Sequence, residues 1–246
     1  MKSCLNSFYL VGLAVMLSAC TMAPGFTRTP KAEEFFLDPK VRTLVQAAAR
    51  GDTRRVDALL HEGVDINARG KGGMTPVLFA MARLNKTGYR HLLERGANPN
   101  LIVDPGESVM SFASRIKDSE WLRLALRHGG DPNLIGARNI PPPLHESILY
   151  RRPENMRLLL DAGADINIRD GTGGTPMITA ENIGSYEIVY EFLQRGADYR
   201  IKTKAGADLA KYISLSQMTP DNPKWPIREK VIAWLAERGV QIPPLQ

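Results

Sequence analysis

Two periods are superimposed in the apolar and polar positions of this chain. The short one is helical. Four residues before Gly63, Gly96, Gly129, Gly163, Gly196 and Gly239 stand Leu59, Leu92, Ala125, Leu159, Phe192 and Leu235. Three before the same glycines stand Leu60, Leu93, Leu126, Leu160, Leu193 and Ala236, and seven before stand Val56, Tyr89, Leu122, Met156, Val189 and Ile232. Offsets of three, four and seven share one side of an α-helix, so each glycine is predicted to close a helix with a buried stripe. A glycine just past a helix end takes the left-handed conformation that other residues adopt at a cost. The long period is the spacing of the glycines themselves, in steps of 33, 33, 34, 33 and 43 residues. A near-constant step of this size predicts like units, each burying a face on its neighbour.

The residues around the glycines repeat as well. Ala162-Gly163-Ala164-Asp165-Ile166-Asn167 echoes Glu62-Gly63-Val64-Asp65-Ile66-Asn67, Arg95-Gly96-Ala97-Asn98-Pro99-Asn100, His128-Gly129-Gly130-Asp131-Pro132-Asn133 and Arg195-Gly196-Ala197-Asp198. Arg238-Gly239-Val240 is a weaker copy. Twenty-one residues before two of the glycines stand Thr75-Pro76 and Thr175-Pro176. Threonine caps a helix and proline suits its first turn, so first helices start there. Pro142-Pro143-Leu144-His145 and Ser108-Val109-Met110-Ser111 hold the same place in other units.

This pattern resembles the ankyrin repeat, whose opening is Thr-Pro-Leu-His. The resemblance implies an all-α ankyrin-repeat solenoid of about six repeats, built from helix-turn-helix pairs with projecting hairpin loops. The repeats are expected at about 39–71, 72–104, 105–138, 139–171, 172–204 and 205–246. The first, with Gln46-Ala47-Ala48-Ala49-Arg50-Gly51-Asp52, reads as a cap. In the family the motif histidine braces neighbouring loops. Only His145 matches it, because Leu78 and Ile178 hold the place elsewhere. In the last repeat, helices are expected around Asp208–Ile213 and Ile227–Arg238. Between them, Pro220, Pro223 and Pro226 forbid a continuous helix and account for the long final step. Trp225 in this insertion has two readings, a partner contact or packing over the end of the stack.

The N-terminus carries a different signal. Lys2 precedes an apolar run from Phe8 to Ala19, too short to span a bilayer and suited to a signal peptide. It ends in Leu17-Ser18-Ala19-Cys20, which resembles the bacterial lipobox. That resemblance implies cleavage after residue 19 and lipidation of Cys20. With Thr21 next, it implies an outer-membrane lipoprotein facing the periplasm. The competing reading is an ordinary signal peptide with an incidental cysteine. Residues 20–38, with Pro24, Gly25 and Pro30, read as the lipidated cysteine and a tether of ~20–25 Å. Phe35, Phe36 and Leu37 are expected to dock on the first repeat, and 39–246 forms the repeat domain.

Charge and chemistry narrow the function. The 246 residues carry 32 Lys and Arg against 26 Asp and Glu, a formal charge of +6 with no long basic run, which argues against a nucleic-acid tail. Cys4 and Cys20 are the two cysteines, and neither staples the body. No Gly-x-Ser-x-Gly, His-x-x-x-His pair or phosphate loop is present, so no catalytic constellation, metal site or cofactor is expected. The expectation is a non-enzymatic protein-binding module.

By register with the family, contacts are expected at the hairpin tips, Lys71, Met74, Asp104, Glu107, Arg138 and Asn139. On the concave face of the first helices they are expected at Arg50, Arg83, Arg115, Ile116, Leu149, Tyr150, Asn182 and Ile183. Arg50, Arg83 and Arg115, with Lys71 and Arg138, would form a basic stripe for an acidic partner surface. The bland alternative is a solvated face. Resemblance to small repeat lipoproteins extends this to an immunity protein against an antibacterial, type VI, phospholipase-like effector, or else to an envelope scaffold or protector of a periplasmic enzyme.

Overall fold

The computed structural model describes residues 30–137 and 139–242. The expected signal peptide, Cys20 and Arg138 lie outside the described residues. Twelve α-helices occur among them: α1 Pro39–Arg50, α2 Thr53–His61, α3 Pro76–Ala82, α4 Lys86–Glu94, α5 Val109–Arg115, α6 Glu120–Arg127, α7 Pro143–Leu149, α8 Pro153–Asp161, α9 Pro176–Asn182, α10 Tyr186–Gln194, α11 Leu209–Leu215 and α12 Trp225–Ala236. Short 3-10 turns occur at Ala32–Glu34 and Lys71–Gly73. The chain divides into two compact units, Met1–Ile140 and Pro141–Gln246.

In the first unit the pairs α1/α2, α3/α4 and α5/α6 pack internally, and α3 and α4 lie against α1, α4 against α2, and α6 against α4. In the second unit α7/α8 and α9/α10 form pairs, α9 packs on α7 and α11, and α12 packs on α10. The fold is all-α, built of stacked helix pairs.

The helix boundaries follow from capping. Thr75 Oγ1 accepts from Leu78 N at 3.3 Å and Thr175 Oγ1 from Ile178 N at 3.4 Å, ahead of Pro76 and Pro176 in the first turns. Ser108 and Ser111 form a reciprocal capping box at α5. Asp38, Asp52, Asn85 and Asp208 cap α1, α2, α4 and α11. Asp208 thus stands before the helix rather than within it. The last helix starts two residues earlier than expected, because Pro226 is tolerated in its first turn.

The predicted stripe is the core. Tyr89, Leu92, Leu122, Ala125, Leu159, Val189, Phe192 and Leu235 are fully buried. Each large apolar side chain removed from water in this way contributes about 1.5–3 kcal/mol. Leu60, Leu126 and Leu160, one residue further round, are only half-buried. In α12 the stripe turns: Val231 is buried and the expected Ile232 is half-exposed. Val231 lies four residues before Leu235, so the two share one face. All six marker glycines have φ between 76° and 92°, and a Cβ at any of them would meet nothing within 4 Å. Handedness, not space, selects glycine there.

Pro30 to Leu37 departs from the expected tether. Lys71 N donates to Phe35 O at 2.7 Å, Gln46 Nε2 to Glu33 Oε1 at 2.7 Å, and Arg83 Nη1 to Pro30 O at 3.1 Å. The Phe35 and Phe36 rings meet Phe79 edge-on, at 6.3 and 6.0 Å between centroids. This segment is therefore a strap across the first helices of two repeats. Leu37 does not dock: it is 92% exposed, because the chain turns there into the Asp38 cap.

Candidate protein-binding surface

In the first unit the tip residues divide. Lys71 and Asp104 are exposed and Met74 is half-buried. Asp104 N donates to Gly72 O at 2.8 Å, tying one hairpin to the next. Glu107 is not a surface residue. It is 5% exposed; its Oε2 accepts from Ser111 Oγ at 2.7 Å and its Oε1 from Arg115 Nη1 at 2.9 Å. Arg115 lies over the Phe112 ring, 5.5 Å from its centroid, with an 11% exposed side chain. The third repeat has a capping box in place of Thr-Pro, and Glu107, directly before it, turns inward.

The expected run of three surface arginines is therefore broken. Arg115 is spent on a buried carboxylate, and Arg50 and Arg83 stay exposed. Ile116 is half-buried and Asn139 is exposed. In the second unit Leu149 is 41% exposed and Asn182 is exposed, whereas Tyr150 and Ile183 are half-buried. Arg151 Nη2 donates to Ile183 O at 3.1 Å. A cleft of about 160 Å³ opens nearby, lined by Ile148, Arg151, Arg152, Met156, Glu187 and Ile188 among others.

His145 is fully buried. Its Nδ1 lies 2.7 Å from Thr179 Oγ1 and its Nε2 3.0 Å from Ile168 O. A carbonyl only accepts, so Nε2 carries the proton and Nδ1 accepts from the threonine. Burial holds its pKa below the ordinary value of 6.5. A neutral imidazole with both nitrogens occupied braces α7 against α9; it is not poised to transfer a proton.

A second buried group joins α9, α10, α11 and α12. Tyr186 Oη donates to Glu181 Oε1 at 3.0 Å, and Arg228 Nη2 donates to Ile213 O at 3.2 Å. Arg228 stacks on Trp225 at 4.8 Å, so that tryptophan packs at the last repeat. Burial raises the pKa of Glu181, with the tyrosine hydrogen bond and the Arg228 charge opposing it. Among the described residues, no cluster of three or more His, Cys, Asp or Glu side chains is arranged to hold a metal ion.

Sequence reasoning missed one set of residues. The asparagine closing three of the markers reaches the next repeat: Asn67 Oδ1 accepts from Asn98 N, Asn100 Oδ1 from Asp131 N, and Asn167 Oδ1 from Asp198 N, each at 2.8 Å. Their recurrence at the glycine period was the available signal. The aspartates serve their own turns: Asp65, Asp131 and Asp165 each accept from the amide two residues on at 2.8 Å.

Comparison with known proteins agrees with this geometry. Residues 142–171 match the family model "Ankyrin repeat". Protein PhlB of Serratia liquefaciens is 34% identical over 140 residues, 57% of this chain and 61% of that protein. Human ankyrin repeat and SOCS box protein 16 is 30% identical over 182 residues, 69% of this chain and 40% of that protein. The chain therefore spans less than two thirds of either relative. The crystal structure of the ankyrin repeat domain of Bcl-3 superposes with a TM-score of 0.67 at 22% identity, over 81% of this chain and 86% of that one. Ankyrin repeats are in general protein-binding modules, typically without enzymatic activity. The fold of this chain is that of an ankyrin-repeat protein, with the family's sequence pattern carried outright by residues 142–171.

Proposed function

We propose that this chain is a periplasm-facing lipoprotein, anchored through Cys20, that binds and neutralises a partner protein. The specific reading is an immunity protein against a type VI, phospholipase-like effector. The observation that carries it is the tetrapeptide Leu17-Ser18-Ala19-Cys20 at the end of a short apolar run, joined to a protein-binding fold. Two or three acyl chains at ~0.8 kcal/mol per buried CH₂ suffice for a stable anchor. A rigid binding face held beside the bilayer is placed where a lipid-attacking toxin works. The exposed groups, Arg50 and Arg83 in one unit and Leu149 and Asn182 in the other, supply cationic, apolar and amide contacts to a partner.

Deletion of the gene, followed by challenge with sibling cells that deliver their effectors, tests the reading. Deleted cells should lyse on contact and be rescued by the wild type but not by Cys20→Ser, whose palmitate labelling should vanish. Resistance of the deletion strain to every sibling effector rejects the immunity role. Envelope sensitivity without any competitor would point instead to a scaffold or protector.

A further inference from the structure

Arg50-Gly51 and Arg83-Leu84 occupy the same two positions of successive repeats, at the C-terminal ends of α1 and α3. Gly51 and Leu84 both have left-handed backbones, with φ of 75° and 55°. The equivalent residues in the fourth and fifth repeats, Arg151 and Gly184, are again left-handed, at 54° and 64°. Glycine takes this conformation freely, whereas a leucine does so at a cost of roughly 1–2 kcal/mol. Leu84 does not recover that cost by burial, since it is 55% exposed. The left-handed turn is thus the repeat's own geometry, and what sets Leu84 apart is an apolar side chain held in water upon it.

Its surroundings indicate what it meets. A Cβ on Gly51 would stand 3.3 Å from Asn85 Oδ1, so the two repeat ends are in contact. Arg50 and Arg83 are both exposed, and neither has a carboxylate partner among the described residues. Arg83 donates one Nη to Pro30 O and keeps its charge uncompensated. The charge excess of the chain also lies here. Residues 30–137 carry 16 Lys and Arg against 13 Asp and Glu, whereas residues 141–246 carry 13 of each. In the next repeat Arg115 is held by Glu107, and the position equivalent to Leu84 is Lys117, exposed and charged rather than apolar.

We propose that Arg50, Arg83 and Leu84 anchor an acidic segment of a partner protein. An apolar side chain of that segment packs on Leu84, and carboxylates flanking it pair with the two arginines. This rests on the protein-binding reading above and does not require the partner to be a toxin. Side chains of this kind, an apolar centre ringed by charge, are where interface energy concentrates.

The test uses the full chain in its producing cells, with a photo-cross-linking amino acid at position 84. The cross-linked peptide is sequenced. A protein segment of net negative charge is expected, with yield falling at least ~5-fold in the exposed charge reversals Arg50→Glu and Arg83→Glu. In the second arm, a synthetic peptide of that sequence is titrated against the wild type and Leu84→Gly. Affinity should fall about 5-fold or more, while Tm stays equal or rises, because the strained residue has been removed. A purely structural Leu84 would move the two in the same direction. Cross-links to lipid or to a neutral or basic segment, no protein cross-link, a yield indifferent to charge reversal, or undiminished affinity in Leu84→Gly would each overturn the proposal. An acidic segment belonging to a resident envelope protein would uphold it and reject the immunity reading.

Discussion

Asn100 is bonded on both sides to the turn that carries Asp131. Its Oδ1 accepts the Asp131 amide at 2.8 Å, and its Nδ2 donates to Gly129 O at 2.8 Å. Both contacts cross a repeat boundary. They satisfy backbone groups at a helix end that would otherwise rely on water.

Asn100→Ala is expected to lower the unfolding free energy by about 1–2 kcal/mol, two exposed hydrogen bonds at ~0.5–1 each. Asn100→Asp keeps the acceptor but not the donor, and should lose about half as much. Urea denaturation of both variants checks the order.

Gly88 makes a closer contact than any marker glycine. A Cβ there would stand 1.9 Å from Ala48 O, where α4 meets the backbone of α1. Alanine is the better helix former, so an unconstrained site would gain from Gly88→Ala. Here the helices must part, and a loss of about 2–3 kcal/mol is expected, as for overpacked cores. A rise in Tm would show that the contact yields.

The buried pair Glu107–Arg115 predicts a non-additive cycle. Glu107→Ala takes the carboxylate away from a nearly buried guanidinium and should cost about 3 kcal/mol. The double variant Glu107→Leu/Arg115→Met removes both charges and should recover most of that loss. Equal losses in the single and double variants would place the pair in effective contact with solvent.

Two buried groups give opposite pH dependences. His145 has a lowered pKa, so between that value and 6.5 the unfolded chain binds the proton more readily. Stability falls as pH drops below 6.5. Glu181 has a raised pKa, so between the ordinary 4.5 and that value the folded chain binds the proton more readily. Its contribution therefore grows as pH falls. Stability measured from pH 7 to 5 should decline less steeply in a His145→Gln variant and more steeply in Glu181→Gln than in the wild type.

Much of the fold was legible because it repeats. Six glycines, six helical stripes and two Thr-Pro openings report one physical demand several times, and chance does not. What occurs once was not legible. Phe35 and Phe36 are expected to dock on the first repeat, but their contact with Phe79 of the second has no other copy in the sequence to signal it. Glu107 and Arg115 were placed on the surface by register, and the register fails where a capping box replaces Thr-Pro. Leu84 stood out only once its backbone angle and exposure were both known.

The empty space around the six marker glycines has a chemical corollary. What those sites exclude is the L configuration and not a side chain as such. A semisynthetic chain carrying D-alanine at position 163 or 196 would hold its torsions already at their minimum. It should unfold later than the natural protein, whereas the mirror substitution with L-alanine should unfold earlier by about 1 kcal/mol.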